Sequence, residues 1–203
     1  LDESLRLELS QPDREGEGTG GDADRCRQPR AQVLQRLAQP CLLRIRVNVG
    51  IIAASMEPHF DLPPSPWVQR WVGGIRPGGS VLDVACGSGR HARLLAKLGF
   101  EVDAVDRAPE LFDRPPPGVA LLGADLEGGP WPYEGRRFDG IVVANYLHRP
   151  LLPLLVESLE RGGVLVYETF ACGNERFGKP SNPAFLLQPG ELLEAVRGRL
   201  RVI

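Results

Sequence analysis

Residues 81–91, VLDVACGSGRH, contain an acid and two glycines that together could bind a small-molecule ligand. Gly87 and Gly89 stand where an apolar strand turns into a helix, so the backbone can bend tightly and a ligand can approach without meeting a Cβ atom. Asp83 lies four residues ahead of the first glycine, inside the carboxyl end of the same predicted strand. A carboxylate at that place repels a pyrophosphate and attracts a cation, so it decides which ligand the turn suits.

The same stretch also fits a dinucleotide fingerprint. Residues 87–92, GSGRHA, satisfy the pattern G-x-G-x-x-A, and Asp106 ends the next predicted strand, where an acid would hold a ribose. A nicotinamide-dependent oxidoreductase is therefore the competing interpretation, but Asp83 would lie close to the pyrophosphate of its cofactor. S-adenosylmethionine carries a sulfonium and an ammonium where a dinucleotide carries phosphates, so an acid near the turn suits it.

Alternating strands and helices are predicted from residue 66 onward. The predicted strands cover residues 80–86, 101–107, 119–126, 138–147 and 163–170, and the predicted helices cover 66–74, 89–99, a short segment near 109–114, 151–161 and 189–198. Apolar runs such as IVVA and VLVY are typical of strands covered by helices on both faces. With right-handed crossovers, the pattern predicts a doubly wound, mostly parallel α/β sheet that binds ligands beyond the carboxyl ends of its strands.

The N-terminal quarter of the chain has a different composition. Residues 10–30 are rich in Gly, Asp, Glu and Arg and nearly lack large apolar side chains, so residues 1–55 are predicted to be a disordered or weakly ordered extension of a domain over 56–203. The only methionine is Met56, so we expect residues 1–55 to be an upstream extension or the result of a misplaced gene start; the alternative is a true but poorly ordered extension. Within it, residues 43–52 alternate like a half-buried strand.

Composition limits the function classes. The net charge of -2 gives no overall basic excess of the kind that marks a general nucleic-acid binder. No apolar segment approaches the roughly 20 residues of a membrane span, and no cluster has metal-ligand spacing, so we expect a soluble cytoplasmic protein without a metal. The four cysteines form no C-x-x-C pair, which fits a reducing compartment; they are Cys26, Cys41, Cys86 and Cys172.

Residues 81–111, VLDVACGSGRHARLLAKLGFEVDAVDRAPEL, resemble the first two motifs of class I S-adenosylmethionine-dependent methyltransferases. The resemblance is strong over 80–126 and looser over 66–198, and is nearest to the small bacterial group that includes tellurite-resistance and thiopurine types. It implies a Rossmann-like fold and S-adenosylmethionine as the cofactor, with Asp106 on the ribose hydroxyls, Asp125 near the adenine amino group and the backbone amide of Leu126 beside it. The expected cofactor-binding residues are Asp83, Ala85, Gly87, Ser88, Gly89, Asp106, Arg107, Asp125, Leu126 and Asn145.

The resemblance places the end of the fourth domain strand, ANYLH, beside the transferred methyl group. We assign no catalytic residue; candidates to take a proton from the acceptor are Tyr146, His148, Glu168 and His59. A small-molecule acceptor is favoured, while nucleic acid and protein acceptors and the oligomeric state stay open. A non-catalytic methyltransferase-like binding module is a further alternative.

The last strands of the family's sheet normally form an antiparallel hairpin, and only one of them is begun before Ile203. We therefore expect an incomplete edge on the fifth domain strand unless LRVI or the alternating segment 43–52 covers it. The alternative is a domain that is incomplete at its C-terminus. Of the remaining residues, Arg90 and His91 could orient the ligand but are interpreted as solvated helix positions, and Trp67 and Trp71 as a packing pair.

Overall fold

The computed structural model describes residues 41–48 and 62–203. The helices of these ranges are α1 (Pro66–Trp71), α2 (Arg90–Lys97), α3 (Leu151–Glu157) and α4 (Glu191–Ala195). The strands are β1 (Cys41–Asn48), β2 (Ser80–Val84), β3 (Glu101–Asp106), β4 (Val119–Gly123), β5 (Phe138–Ala144), β6 (Leu159–Phe170) and β7 (Leu200–Val202). The helix predicted near residue 109 is a short 3₁₀ turn, Pro109–Leu111.

The strands form one sheet in the order β4-β3-β2-β5-β6-β1-β7, and every described pair is parallel. From β2 the chain runs outward through β3 to β4 and then returns to the other side of β2 for β5. This reversal confirms the predicted doubly wound sheet, and it opens a crevice at the carboxyl ends of β2 and β5.

Helices cover both faces of the sheet, as the apolar runs predict. Side chains such as Val81, Ala104 and Val142 pack under α1 and α2. Alternate residues, such as Leu82 and Ile141, pack on the opposite face with the leucines of α3. The predicted Trp67–Trp71 packing pair is confirmed as an edge-to-face contact with ring centroids 5.5 Å apart.

The edge of β6 is covered by β1, which pairs with it in parallel over Leu42–Asn48, and β7 pairs in turn with β1. The described parts of both segments named as candidates for covering this edge therefore join the sheet, and they do so as parallel strands where the family's pattern implies an antiparallel hairpin. Residues 41–48 belong to the sheet although they precede Met56. The rest of the predicted N-terminal extension lies outside the described residues, and the boundary at 55/56 stays a prediction.

Several elements end or begin away from their predicted positions. Helix α3 was expected to reach Arg161 but ends at Glu157, and β6 begins at Leu159. The Arg137 guanidinium donates to the carbonyls of Glu157 and Leu159, so it satisfies the backbone where the helix stops. Strand β4 ends at Gly123 and β5 at Ala144, both three residues earlier than expected. Across the described ranges, we find no helix with the length and apolar character of a membrane span.

Candidate functional site

The candidate site is the crevice at the carboxyl ends of β2 and β5. Ala85, directly after β2, has a φ of +53°, and Asn145, directly after β5, has a φ of +58°. A non-glycine residue in the left-handed region costs about 1–3 kcal/mol and persists where the surroundings hold it, commonly beside a ligand. Two such residues at neighbouring strand ends mark this edge of the sheet as the place where backbone geometry is constrained.

The glycine turn predicted to hold a ligand joins β2 to α2. Gly87 and Gly89 have φ values of +54° and +78°, and Ser88 lies half-buried between them. A Cβ on Gly89 would run into the ring of Phe112, whereas nothing lies within 4 Å of the place where a Cβ on Gly87 would stand. Gly89 is therefore required by packing, and Gly87 leaves open space beside the turn.

Asp83 is the buried acid of the site, with 1 % of its surface exposed. The backbone amide of Ala92, in the first turn of α2, hydrogen-bonds to its carboxyl group. Atom Oδ2 has no hydrogen-bond partner among the described residues. Burial raises the pKa of Asp83 to about 7. A buried carboxylate that is only partly hydrogen-bonded is stabilised by a neighbouring cation, as the sequence predicts for this acid.

Asp106, which ends β3, ties the glycine turn to the neighbouring strand. Its Oδ2 accepts the backbone N–H of Gly87 at 2.8 Å, and its Oδ1 accepts that of Ala108 at 2.9 Å. A carboxylate oxygen has two lone pairs, so both oxygens can accept a further hydrogen bond. The carboxylate thus lies beside the turn as predicted, and its contact with a ribose stays a prediction.

Asp125 lies beyond the end of β4 and is exposed. Its Oδ1 accepts the backbone N–H of Glu127 at 3.0 Å. Hydrogen bonds from the amides of Glu127 and Gly128 hold the pKa of this carboxyl below its usual range, and the charge of exposed Arg107 adds to the effect. Leu126 is buried in the core. The proposed adenine contacts of Asp125 and Leu126 stay predictions.

A buried hydrogen-bond network that sequence reasoning missed lies next to Asp83. Nε2 of His91 accepts the backbone N–H of Ser65 at 3.1 Å, and the Ser65 hydroxyl donates to Oε2 of Glu168. Arg46, on β1, lies 3.6 Å from Oε1 of Glu168. The Ser-Pro pair at 65–66 is a sequence signal for a helix start, and Ser65 does cap α1. No signal in the sequence indicates that the same serine reaches α2 and β6.

The interpretation of His91 as a solvated helix residue is wrong. Its side chain is 3 % exposed, and burial, aided by the charge of Arg90, lowers the pKa of His91 to about 3. The imidazole is therefore neutral at physiological pH, which it must be to accept from Ser65. Arg90 is half-buried and donates to the carbonyl of Pro63 at 3.2 Å. The reason is tertiary, because the segment before α1 lies over the first turn of α2.

The stretch after β5 contains two of the candidate proton acceptors. Tyr146 is half-buried, and desolvation raises the pKa of its phenol to about 12. Its backbone carbonyl accepts from the hydroxyl of Tyr167 at 3.0 Å. The carbonyl of His148 accepts the backbone N–H of Leu151 at 3.0 Å, which places His148 just ahead of α3. The third candidate, Glu168, ends up in the network described above, and His59 lies outside the described residues.

The segment of residues 171–190, which follows β6, is fixed to the stretch after β5 by Arg149. The guanidinium donates to the carbonyls of Ala184 and Leu186 at 2.7 and 2.9 Å and to both carboxylate oxygens of Glu191. These contacts hold the segment beside the stretch after β5. Arg149 was not singled out from the sequence, because its partners lie more than thirty residues away in the chain.

These features fit a cationic nucleoside donor better than a dinucleotide. Oδ2 of Asp83, which has no hydrogen-bond partner among the described residues, attracts positive charge. Gly87 leaves space beside the turn, and the carboxylate of Asp106 presents hydrogen-bond acceptors next to the turn. A pyrophosphate in the same place would meet the buried carboxylate of Asp83 and be repelled.

Comparison with known proteins also indicates a methyltransferase. Residues 81–162 match the family described as "Methyltransferase domain". The matched part of the chain is a methyltransferase domain. The match covers the glycine turn, Asp106 and Asp125, and it extends through β5 and α3.

Curated relatives match part of the chain and differ in what their names say they modify. A ribosomal protein L11 methyltransferase of Thiobacillus denitrificans is 38 % identical over 110 residues, which is 51 % of this chain and 37 % of that protein. A protein-L-isoaspartate O-methyltransferase of Chlorobaculum tepidum is 34 % identical over 49 % of each chain. A ribosomal RNA small subunit methyltransferase J of Aeromonas salmonicida is 30 % identical over 62 % of this chain and 51 % of that protein. The chain thus spans about half of these relatives or less.

The fold comparison agrees with the predicted architecture. The solved structure of a putative methyltransferase from an antibiotic biosynthesis pathway of Anabaena variabilis aligns with a TM-score of 0.50 and 16 % identity. The alignment covers 65 % of this chain and 59 % of that one. It supports the Rossmann-like methyltransferase fold, and the finer resemblance to tellurite-resistance and thiopurine types stays a prediction.

Proposed function

We propose that this chain is an S-adenosylmethionine-dependent methyltransferase that acts at the carboxyl ends of β2, β5 and β6. The observation that carries the proposal is the buried carboxylate of Asp83 on β2, the strand that leads into the glycine turn; its Oδ2 has no hydrogen-bond partner among the described residues. The charge of Arg90 compensates this carboxylate only in part, because burial still raises the pKa of Asp83 to about 7. A sulfonium donor with an ammonium group would provide the remaining compensation.

The proposed cofactor residues surround this acid. The residues that would hold the cofactor are Asp83, Ala85, Gly87, Ser88, Gly89, Asp106, Arg107, Asp125, Leu126 and Asn145. When bound, S-adenosylmethionine supplies an electrophilic methyl group. The chain's own contribution is to hold donor and acceptor close and aligned, which can lower a barrier by about 7–11 kcal/mol without a dedicated catalytic side chain.

Proton removal from the acceptor falls to Glu168 or His148. Glu168 is 6 % exposed at the carboxyl end of β6, and its carboxylate is oriented by the Ser65 hydroxyl and by Arg46. His148 lies between the end of β5 and α3. Tyr146 is a weaker choice, because a phenol with a pKa of about 12 stays neutral at pH 7.

We propose a small molecule as the acceptor. The support is the segment 171–190, which Arg149 fastens beside the stretch after β5, since an anchored segment there limits the room for a macromolecule. The relatives whose names specify ribosomal protein, isoaspartyl protein and ribosomal RNA make protein and RNA acceptors the other outcomes of the test. We also propose a cytoplasmic location, which fits the free thiols of Cys41, Cys86 and Cys172.

Two measurements test this function. Calorimetry with S-adenosylhomocysteine and with NADH should show binding of the first alone, and preferential binding of NADH would favour an oxidoreductase. The purified chain should then transfer label from methyl-labelled S-adenosylmethionine to the small-molecule fraction of a lysate. Label in the RNA or protein fraction would contradict the proposed acceptor class. Tight binding of S-adenosylhomocysteine without transfer to any fraction would identify a binding module.

A further inference from the structure

A groove runs along the outer face of α2, next to the glycine turn. It has a volume of about 690 Å³, and we call it the α2 groove. Its walls come from the stretch before α1, Gln69 of α1, Ser88 of the glycine turn, α2 itself and the connection between β3 and β4. Its charged and large apolar lining residues include Leu62, Arg90, Arg93, Lys97, Leu111 and Asp113.

The cations of the α2 groove lie on one face of the helix. Arg90, Arg93 and Lys97 follow the helical spacing i, i+3, i+7, so their side chains share a stripe. The opposite face carries residues that are buried against the sheet, such as Ala92 and Leu95. The sequence of α2 therefore divides into an apolar face that builds the fold and a basic face that borders the groove.

The positive charge of this face is held in place without being neutralised. Arg93 donates to the backbone carbonyls of Asp113 and Arg114, and its guanidinium lies 4.7 Å from the ring centroid of Phe112. Carbonyls and rings fix the position of a guanidinium but carry no net charge. Within the described ranges, neither Arg93 nor Lys97 forms a salt bridge.

The acids near the groove are already engaged elsewhere. The carboxylate of Asp113 pairs with Arg114 at 2.9 Å. Asp83 and Glu168 act on the charge of Arg90, since both raise the pKa of its guanidinium against the larger lowering by burial. The uncompensated positive charges are therefore those of Arg93 and Lys97, and they attract an anion.

Apolar side chains complete the walls. Leu62 and Leu111 are 45 % and 40 % exposed, an amount of apolar surface that a ligand would cover. A groove of this volume falls in the range of small-molecule sites. We propose that the α2 groove binds a small anionic molecule, its phosphate or carboxylate group on Arg93 and Lys97 and its apolar part against Leu62 and Leu111. The proposal does not depend on methyl transfer.

Phenyl phosphate, benzoate and phenol are the probes that test this site by calorimetry on the full chain. Both anions should bind, the dianion more tightly and with stronger dependence on salt, and phenol should not bind. Lys97→Gln should weaken phenyl phosphate about tenfold, since it removes one charge-assisted contact. Arg201→Gln, at an exposed cation of β7, is the matched control and should change nothing.

The outcomes separate this site from the cofactor site. Lys97→Gln should leave the affinity for S-adenosylhomocysteine unchanged, so a failure of the cofactor proposal and a failure of the groove proposal are distinguishable. The groove proposal is overturned when phenol binds as well as phenyl phosphate or when Lys97→Gln has no effect. It is also overturned when a short RNA binds through Lys97 more tightly than phenyl phosphate, which would make the face a nucleic-acid surface.

Discussion

The backbone N–H of Ser65 donates to Nε2 of His91 across 3.1 Å, and this bond joins the start of α1 to the first turn of α2. The serine hydroxyl then donates to Glu168 on β6. A neutral imidazole thus positions the serine that orients a buried carboxylate, and three elements meet at the edge of the sheet where the methyltransferase domain is expected to act.

Replacing His91 by Gln should remove an acid-sensitive contribution to stability. The folded-state pKa of about 3 lies below the ordinary value of 6.5, so between these values the unfolded chain binds a proton that the folded chain does not. Stability present above pH 6.5 is therefore lost as pH falls toward 3, by about 2 kcal/mol at pH 5. Urea unfolding at pH 7 and pH 5 measures this. Parallel pH profiles for the wild type and His91→Gln would contradict the neutral, buried imidazole.

Asp83→Asn should stabilise the folded chain at high pH. This pH dependence is opposite to that of His91, whose contribution is lost at low pH. Burial raises the pKa of Asp83 to about 7 from 3.8, so the stability that its protonated form provides is lost as pH rises through 7. As pH rises from 5 to 8, the free energy of unfolding of the variant should increase by up to about 3 kcal/mol relative to that of the wild type. Free energies of unfolding at both pH values decide the matter, and a pH-independent difference would mean that Asp83 is not desolvated.

Gly87→Ala should separate ligand binding from folding. Gly87 and Gly99 both have a positive φ and open space where a Cβ would stand, so alanine at either position should cost about 1 kcal/mol of stability through backbone strain. Only at Gly87 does the added methyl group lie in the glycine turn of the proposed cofactor site. Calorimetry should therefore show weaker binding of S-adenosylhomocysteine for Gly87→Ala and unchanged binding for Gly99→Ala. Equal affinities for both variants would show that the cofactor does not approach this glycine.

Arg149→Lys should loosen the segment 171–190, because a lysine cannot bond two carbonyls and both oxygens of Glu191 from one place. Hydrogen exchange should become faster at the amides of Leu187 and Gln188. Arg197→Lys, which alters an exposed pair with Glu194 three residues away, is the control and should leave exchange in the segment unchanged. Similar exchange in both variants would rule out Arg149 as the anchor.

Much of the sheet could be predicted because its strands are apolar runs that only a two-sided helical cover can bury. Strands around IVVA and VLVY, the glycine turn and the two acids Asp83 and Asp106 were found where expected. Their positions depend on neighbours in sequence, and local periodicity carries that information.

Features that depend on distant residues were missed. The burial of His91 follows from Ser65, which is 26 residues away in the chain, and the early end of α3 follows from Arg137, which is 20 residues from Glu157. The edge of β6 could be named as needing a partner, but its parallel pairing with β1 could not be derived, because alternation predicts a strand and not its direction. Side-chain partners at long separation leave no periodic signal.

The affinity of Asp83→Asn for S-adenosylhomocysteine tests the central claim most directly. The ammonium of this ligand is the cation that the unpartnered carboxylate should stabilise, so the variant should bind at least about tenfold more weakly while staying folded. Asp113→Asn, at an exposed acid that pairs with Arg114, is the control and should bind like the wild type. Wild-type affinity should also rise with pH through 7 as Asp83 ionises, and the variant's should not. Equal affinities for Asp83→Asn and the wild type would contradict the account.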